Sequence, residues 1–282
     1  MTRPRRRPLS RTVVLDRSLE ALPLFRLSDS ADDAAISFTT LSGERWRVLP
    51  APGERLPGTF DQDVYVELLR RFQESGSPSD GALTFTLHAF LRSMGRRVDG
   101  RTYEQLRSAL TRLLRTTLES EGSYIDSASG TPLSGRFSVL ASVYIDRRRV
   151  TDRDQLALFS TLTNNEPGDA RVVISAPLRA NIACGASTTL SAPRFFALSS
   201  PVARRLYRLL EVARAEHGAS WRVPLERLAE LLPLVQRYPS HLQRVLQPAN
   251  EMLVAAGLVR EAVFEQVEKV WFAEYRLAGR IS

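Results

Sequence analysis

The residue pattern predicts an α+β fold in which one plan of helices and hairpin is used twice. Three observations carry that prediction. Helical and strand-like periodicities alternate along the 282 residues. A helix holding Tyr65 and a helix holding Tyr207 each precede a short strand, two more helices and a hairpin. Hydrophobic residues make up 43% and charged residues 25%, the balance of a globular chain able to bury one large core or two ordinary ones.

The first stretch, residues 1–12, is rich in Arg and Pro and reads as a basic arm that buries no core. Strand-like stretches follow at 36–40 and 45–49, then a Pro/Gly-rich loop over 50–58. Phe60-Asp61-Gln62-Asp63 opens a helix with an acidic first turn, which the helix dipole favours. Val64, Leu68, Leu69 and Phe72 give it an apolar stripe. After a loop at 74–81, residues 83–85 read as a strand, and Thr86 is placed to cap a helix running to Met94. Gly95 suits the left-handed position that ends it. A connection at 96–100 leads to a third helix over 102–118. Residues 123–126, a turn at 127–131 and an alternating strand over 136–146 complete a hairpin.

The plan then recurs. A strand over 171–175 and short helical pieces reach Leu198. Ser200 as cap and Pro201 in the first turn open a strong helix ending near Gly218. Residues 220–223 read as a strand, Pro224 opens a helix to Leu232, and Pro239 opens a third helix that Gly257 stops. Residues 258–264 and 270–277 form the last hairpin. Helix, strand, helix, turn, helix and hairpin is the winged-helix order. The expected division is an arm over 1–20, one winged-helix domain over 21–165 and a second over 166–282.

Charge is distributed unevenly. Residues 1–20 hold six Arg against two acids, and residues 171–282 hold fourteen Arg and Lys269 against nine. The section between is slightly acidic, and the whole chain is +8. Basic charge at both ends fits a polyanionic partner, nucleic acid first. A solvated surface in an Arg-rich protein would look similar, because Lys269 is the only lysine. One Cys excludes an internal disulfide, and with three scattered His it argues against structural zinc. No apolar run is long enough to span a bilayer, so the expected location is the cytoplasm, with no membrane partner.

The third helix of each unit is where a helix-turn-helix protein reads DNA. In the first, Tyr103, Leu106, Leu110, Leu113 and Leu114 face the core, leaving Arg101, Gln105, Ser108, Arg112 and Arg115 opposite. Arg and Gln side chains of this kind contact guanine and adenine edges in pairs of hydrogen bonds. In the second, Ser240, His241, Gln243, Arg244 and Gln247 lie on the polar side, with Arg237 and Tyr238 just ahead. Pro248 removes a backbone donor and should kink the helix. Arg147, Arg148 and Arg149, like Arg3, Arg5, Arg6 and Arg7, suit phosphates or a narrow minor groove. A solubilising charge run is the alternative for both, weighed equally for the arm.

Chemical motifs are missing. No GxxxxGK[ST] loop, no His-hydrophobic-His pair and no nucleophile–base arrangement occurs, and Cys184 lies in an apolar run. The expectation is a non-enzymatic protein with no metal or cofactor.

Four stretches resemble a known family, the bacterial plasmid replication initiator protein A family. They are Phe60-Asp61-Gln62-Asp63-Val64-Tyr65; Gly100-Arg101-Thr102-Tyr103-Glu104-Gln105-Leu106 with Thr116-Thr117; Ser200-Pro201-Val202-Ala203-Arg204-Arg205-Leu206-Tyr207; and Tyr238-Pro239-Ser240-His241-Leu242. The resemblance runs from about 60 to 260. It implies a winged-helix initiator that binds double-stranded origin repeats and helps recruit the replicative helicase. A host initiator and a second copy of the chain are further candidate partners. A transcription regulator with the same body is the alternative.

Overall fold

The computed structural model describes residues 11–28, 34–145 and 170–279. The described residues open with strand β1 (Thr12–Asp16) and a single helical turn, α1 (Arg17–Glu20). Then come β2 (Ile36–Thr39), β3 (Arg45–Leu49), α2 (Thr59–Glu74), β4 (Ala82–Phe85), α3 (Leu87–Ser93) and α4 (Gly100–Arg115). A long hairpin, β5 (Thr117–Asp126) and β6 (Thr131–Phe137), follows, then β7 (Leu140–Ile145) and β8 (Ala170–Ile174). Next are α5 (Ala176–Ala183), β9 (Ser187–Ser191) and α6 (Ala192–Ala197). The last part holds α7 (Pro201–His217), β10 (Ser220–Pro224), α8 (Leu225–Leu231), α9 (Pro239–Ala255), β11 (Val259–Val267) and β12 (Val270–Leu277).

Local chemistry sets the helix starts. Thr86 accepts from the Ala89 N–H at 3.0 Å, and Ser200 from the Ala203 N–H at 3.3 Å. Asp99 and Thr102 cap α4 reciprocally, each side chain accepting the other's backbone N–H. Gly95 ends α3 at φ +69°, where a Cβ would be strained. Pro248 stays inside α9, so the segments before and after it belong to one element.

Two three-stranded sheets share a topology. In one the order is β4-β8-β7 and in the other β10-β12-β11. In each, the strand after the first helix pairs with the last strand, which pairs with the strand between. Leucines from the third helices, Leu106, Leu110 and Leu113 on α4 and Leu242, Leu246 and Leu253 on α9, are fully buried beside them.

Several expectations change. Residues 12–20 are not arm: β1 pairs antiparallel with β9, Thr12 opposite Ser191 and Asp16 opposite Ser187. Val13 and Leu15 are fully buried, so this short basic section still presents a buried apolar face. Helix α4 ends at Arg115 rather than 118, because Thr117 onward pairs with β3 in the sheet β2-β3-β5-β6. The alternating run 136–146 is two strands in two sheets, parted at Ser138-Val139. The strand at 171–175, placed in the second unit from sequence, closes the sheet of the first. Val172 sits opposite both Leu83 and Val143. Pairing nearest neighbours missed this, because residues 146–169 separate β8 from β7, and α3, α4 and the β5–β6 hairpin lie between β4 and β8.

Candidate nucleic-acid interface

Of the two third helices, α9 has the less encumbered polar face. Arg237, Tyr238, Ser240, His241, Arg244 and Gln247 are exposed, and Gln243 is half-buried. Tyr238 stands edge-on to His241 with ring centroids 5.8 Å apart, and is 71% exposed. Gln247 donates to Glu251 at 2.8 Å. Among the described residues Arg237 and Arg244 enter no ion pair. Tyr238, at the N-cap, provides no side-chain hydrogen bond, so no acidic side chain guards that end.

The face of α4 is different. Arg101, Gln105 and Ser108 are exposed, as the sequence suggested. The other two expected contacts have internal partners. Arg112 forks onto Asp61, Nε to Oδ2 at 2.9 Å and Nη2 to Oδ1 at 2.8 Å. Arg115 pairs with Glu54, and the neighbouring Arg107 with Glu104 at 3.1 Å. Asp99 adds negative charge at the N-terminus; the Thr102 backbone N–H holds its carboxyl below the ordinary aspartate range. Helical spacing shows which side a residue occupies but not which carboxylate meets it from another element. Arg147, Arg148 and Arg149 lie outside the described residues, as do Arg3, Arg5, Arg6 and Arg7.

One hairpin residue was missed. Lys269 closes β11 to β12 with Glu268, both at positive φ (+72° and +48°), and so stands at the hairpin tip. Arg260 is exposed on the same hairpin, while Arg276 pairs with Glu261 at 2.9 Å. The sequence marked Lys269 as unique without giving it a place.

A buried polar network joins α2 to α7, and it too escaped sequence reading. Glu20 receives Arg208 at 2.9 Å, Arg205 at 3.4 Å and the Tyr65 hydroxyl at 2.9 Å. Arg205 also donates to the carbonyls of Glu20 and Leu22, both at 2.9 Å. Burial, then the neighbouring Arg208, pull the Arg205 guanidinium down to about 9; Glu20 opposes the shift. Arg208 donates to Gln62 at 2.9 Å, and Asp63 receives Arg96 at 2.6 Å and Arg204 at 2.5 Å. Two of the motif stretches, around Asp61–Asp63 and Arg204–Arg208, are therefore halves of one contact. Sequence offered little signal, because both helices carry many charged residues and helical spacing does not say which of them distant elements cover.

Among the described residues no helix is long and apolar enough to cross a membrane. No curated protein matches the sequence. Solved structures do match in fold. Domains 2 and 3 of RctB align with TM-score 0.57 and 10% identity, over 93% of this chain and 96% of that one. The Pi initiator protein in complex with iteron DNA aligns with TM-score 0.57 and 12% identity, over 97% and 100%. At such identities the likeness is one of fold. The sequence itself matches the family described as Replication initiator protein A over residues 15–232, so the match reaches into the N-terminal section and stops before α9. That span is most of the chain, and the protein belongs to the replication initiator protein A family.

Proposed function

We propose that this protein binds double-stranded DNA sequence-specifically at a plasmid replication origin and initiates replication without catalysing a reaction. The observation that carries the reading is the α9 face: Arg237, Tyr238, His241 and Arg244 are exposed, and its two arginines are unpaired among the described residues. Arginines free of internal carboxylates are available to base edges and phosphates. Each three-helix unit with its three-stranded sheet is read as a winged helix. The first ends after β8 and the second holds α7 to β12. In this arrangement α9 is the principal reading helix, and Arg101, Gln105 and Ser108 of α4 add contacts. Lys269 and Arg260 on the β11–β12 hairpin serve as wing contacts to phosphate. The family membership and the fold shared with the Pi initiator support the origin as target. A cytoplasmic, plasmid-associated protein that meets the replicative helicase, a host initiator and a second copy of itself fits the same reading.

Selecting duplexes from a random pool with the pure protein tests it. The expected outcome is one enriched motif that recurs as repeats at the origin of the plasmid encoding the protein. Recovery of unenriched DNA would overturn the proposal.

A further inference from the structure

We infer that the N-terminal end of α2, Asp61 to Asp63, fixes the separation of the two DNA-facing helices, making the protein selective for the spacing within its site. The spacing role rests on the reading of α4 and α9 as DNA-facing. Three consecutive residues turn by about 100° each on a helix and so reach different neighbours. Asp61 holds α4 through Arg112. Gln62 accepts from Arg208 of α7, and its amide donates to the Pro201 carbonyl at 3.3 Å. Asp63 does both: one carboxylate oxygen takes Arg96, in the turn leading into α4, and Arg204 on α7. All three α2 side chains are almost fully buried, at 2%, 0% and 1% exposure. Helix α7 in turn packs on α9. Charge-assisted hydrogen bonds to buried carboxylates tolerate little displacement, because any shift leaves Asp61 or Asp63 unpaired in a poorly polar surrounding. A base pair inserted between the two contacted parts would move one part about 3.4 Å along the duplex and rotate it, and a braced pair of helices cannot follow.

Two measurements on the full chain test this. In a Cys184→Ala background, spin labels at Ser108→Cys and Ser240→Cys report the α4–α9 separation without DNA. One narrow distance is expected for the wild-type brace. Arg204→Gln and Arg96→Gln should each broaden it, and Arg204→Lys should restore it. Arg96→Gln leaves the contacts of Arg204 with the Leu198 and Phe196 carbonyls in place, so broadening there is not a collapse of α7. On the selected duplex, inserting one base pair should cost the unlabelled wild type roughly tenfold in affinity, but Arg204→Gln under roughly threefold. A distance that stays narrow in both Gln variants overturns the brace. Equal insertion penalties in wild type and Arg204→Gln overturn the spacing role while leaving DNA binding standing. Absence of duplex binding by the wild type overturns the proposed function and the spacing role together.

Discussion

Arg112 and Asp61 form a two-point contact between α4 and the first turn of α2, at 2.9 and 2.8 Å, with Asp61 only 2% exposed. Asp61 also accepts the Gly58 N–H at 2.6 Å, closing the start of α2. An arginine on the polar side of a candidate reading helix is thus part of the scaffold. Removing it strands a buried carboxylate. Arg112→Ala should destabilise the fold by roughly 3 kcal/mol, the lower end of the range for broken buried pairs because the arginine is partly exposed. Chemical denaturation measures this. Arg101→Ala, at an exposed position on the same helix, should change stability by under roughly 0.5 kcal/mol. Equal stabilities of the two variants would show that the Arg112 contact contributes little.

Salt separates DNA binding of this kind from apolar association. If α9, the last hairpin and the N-terminal arginines neutralise phosphates, log affinity should fall against log salt with a slope of about −0.9 per phosphate contacted. Deleting residues 1–8 should make the slope shallower and leave the selected motif unchanged. Lys269→Ala should likewise reduce the slope by about one contact. A slope near zero for the intact protein would contradict the electrostatic account.

Asp16 gives a pH signature. Its carboxyl is fully buried at the start of α1, and burial raises it to about 6. Hydrogen bonds from Tyr124, Asn181 and the Leu19 and Ser18 N–H groups only partly offset that rise. The folded state therefore holds a proton more tightly than the unfolded chain. The resulting stabilisation is present below about pH 4 and is lost as pH rises through about 6, amounting to up to about 3 kcal/mol. Asp16→Asn cannot titrate there. The stability difference, variant minus wild type, should grow between pH 4 and 7 in denaturation curves. A difference independent of pH would show that the carboxyl titrates normally.

Much of the fold was legible from the sequence because local chemistry decided it. The caps at Thr86 and Ser200, the stop at Gly95, the turn at 127–131 and the leucine stripes of α4 and α9 depend on residues close in the chain. The failures lie where distant partners decide. Alternation through 136–146 says that its residues are extended but not that Phe137 and Leu140 join different sheets. The strand pairing β8 to β4 spans the whole first unit. The same division holds at the interface. Helical spacing put Arg101 and Arg244 on exposed faces correctly, but it could not distinguish either from Arg112, whose carboxylate partner lies 51 positions away.

If α9 reads bases, loss of the Arg244 side chain should show it in the choice of sequence as well as in affinity. Arg244→Ala should cost roughly 1–3 kcal/mol on the selected duplex and much less on random duplex. Gln105→Ala on α4 should cost less on the same duplex. Repeating the selection with Arg244→Ala should then return a motif degenerate at one position and otherwise unchanged. Equal losses on selected and random duplex, with an unaltered motif, would make Arg244 a phosphate contact and contradict α9 as the reading helix.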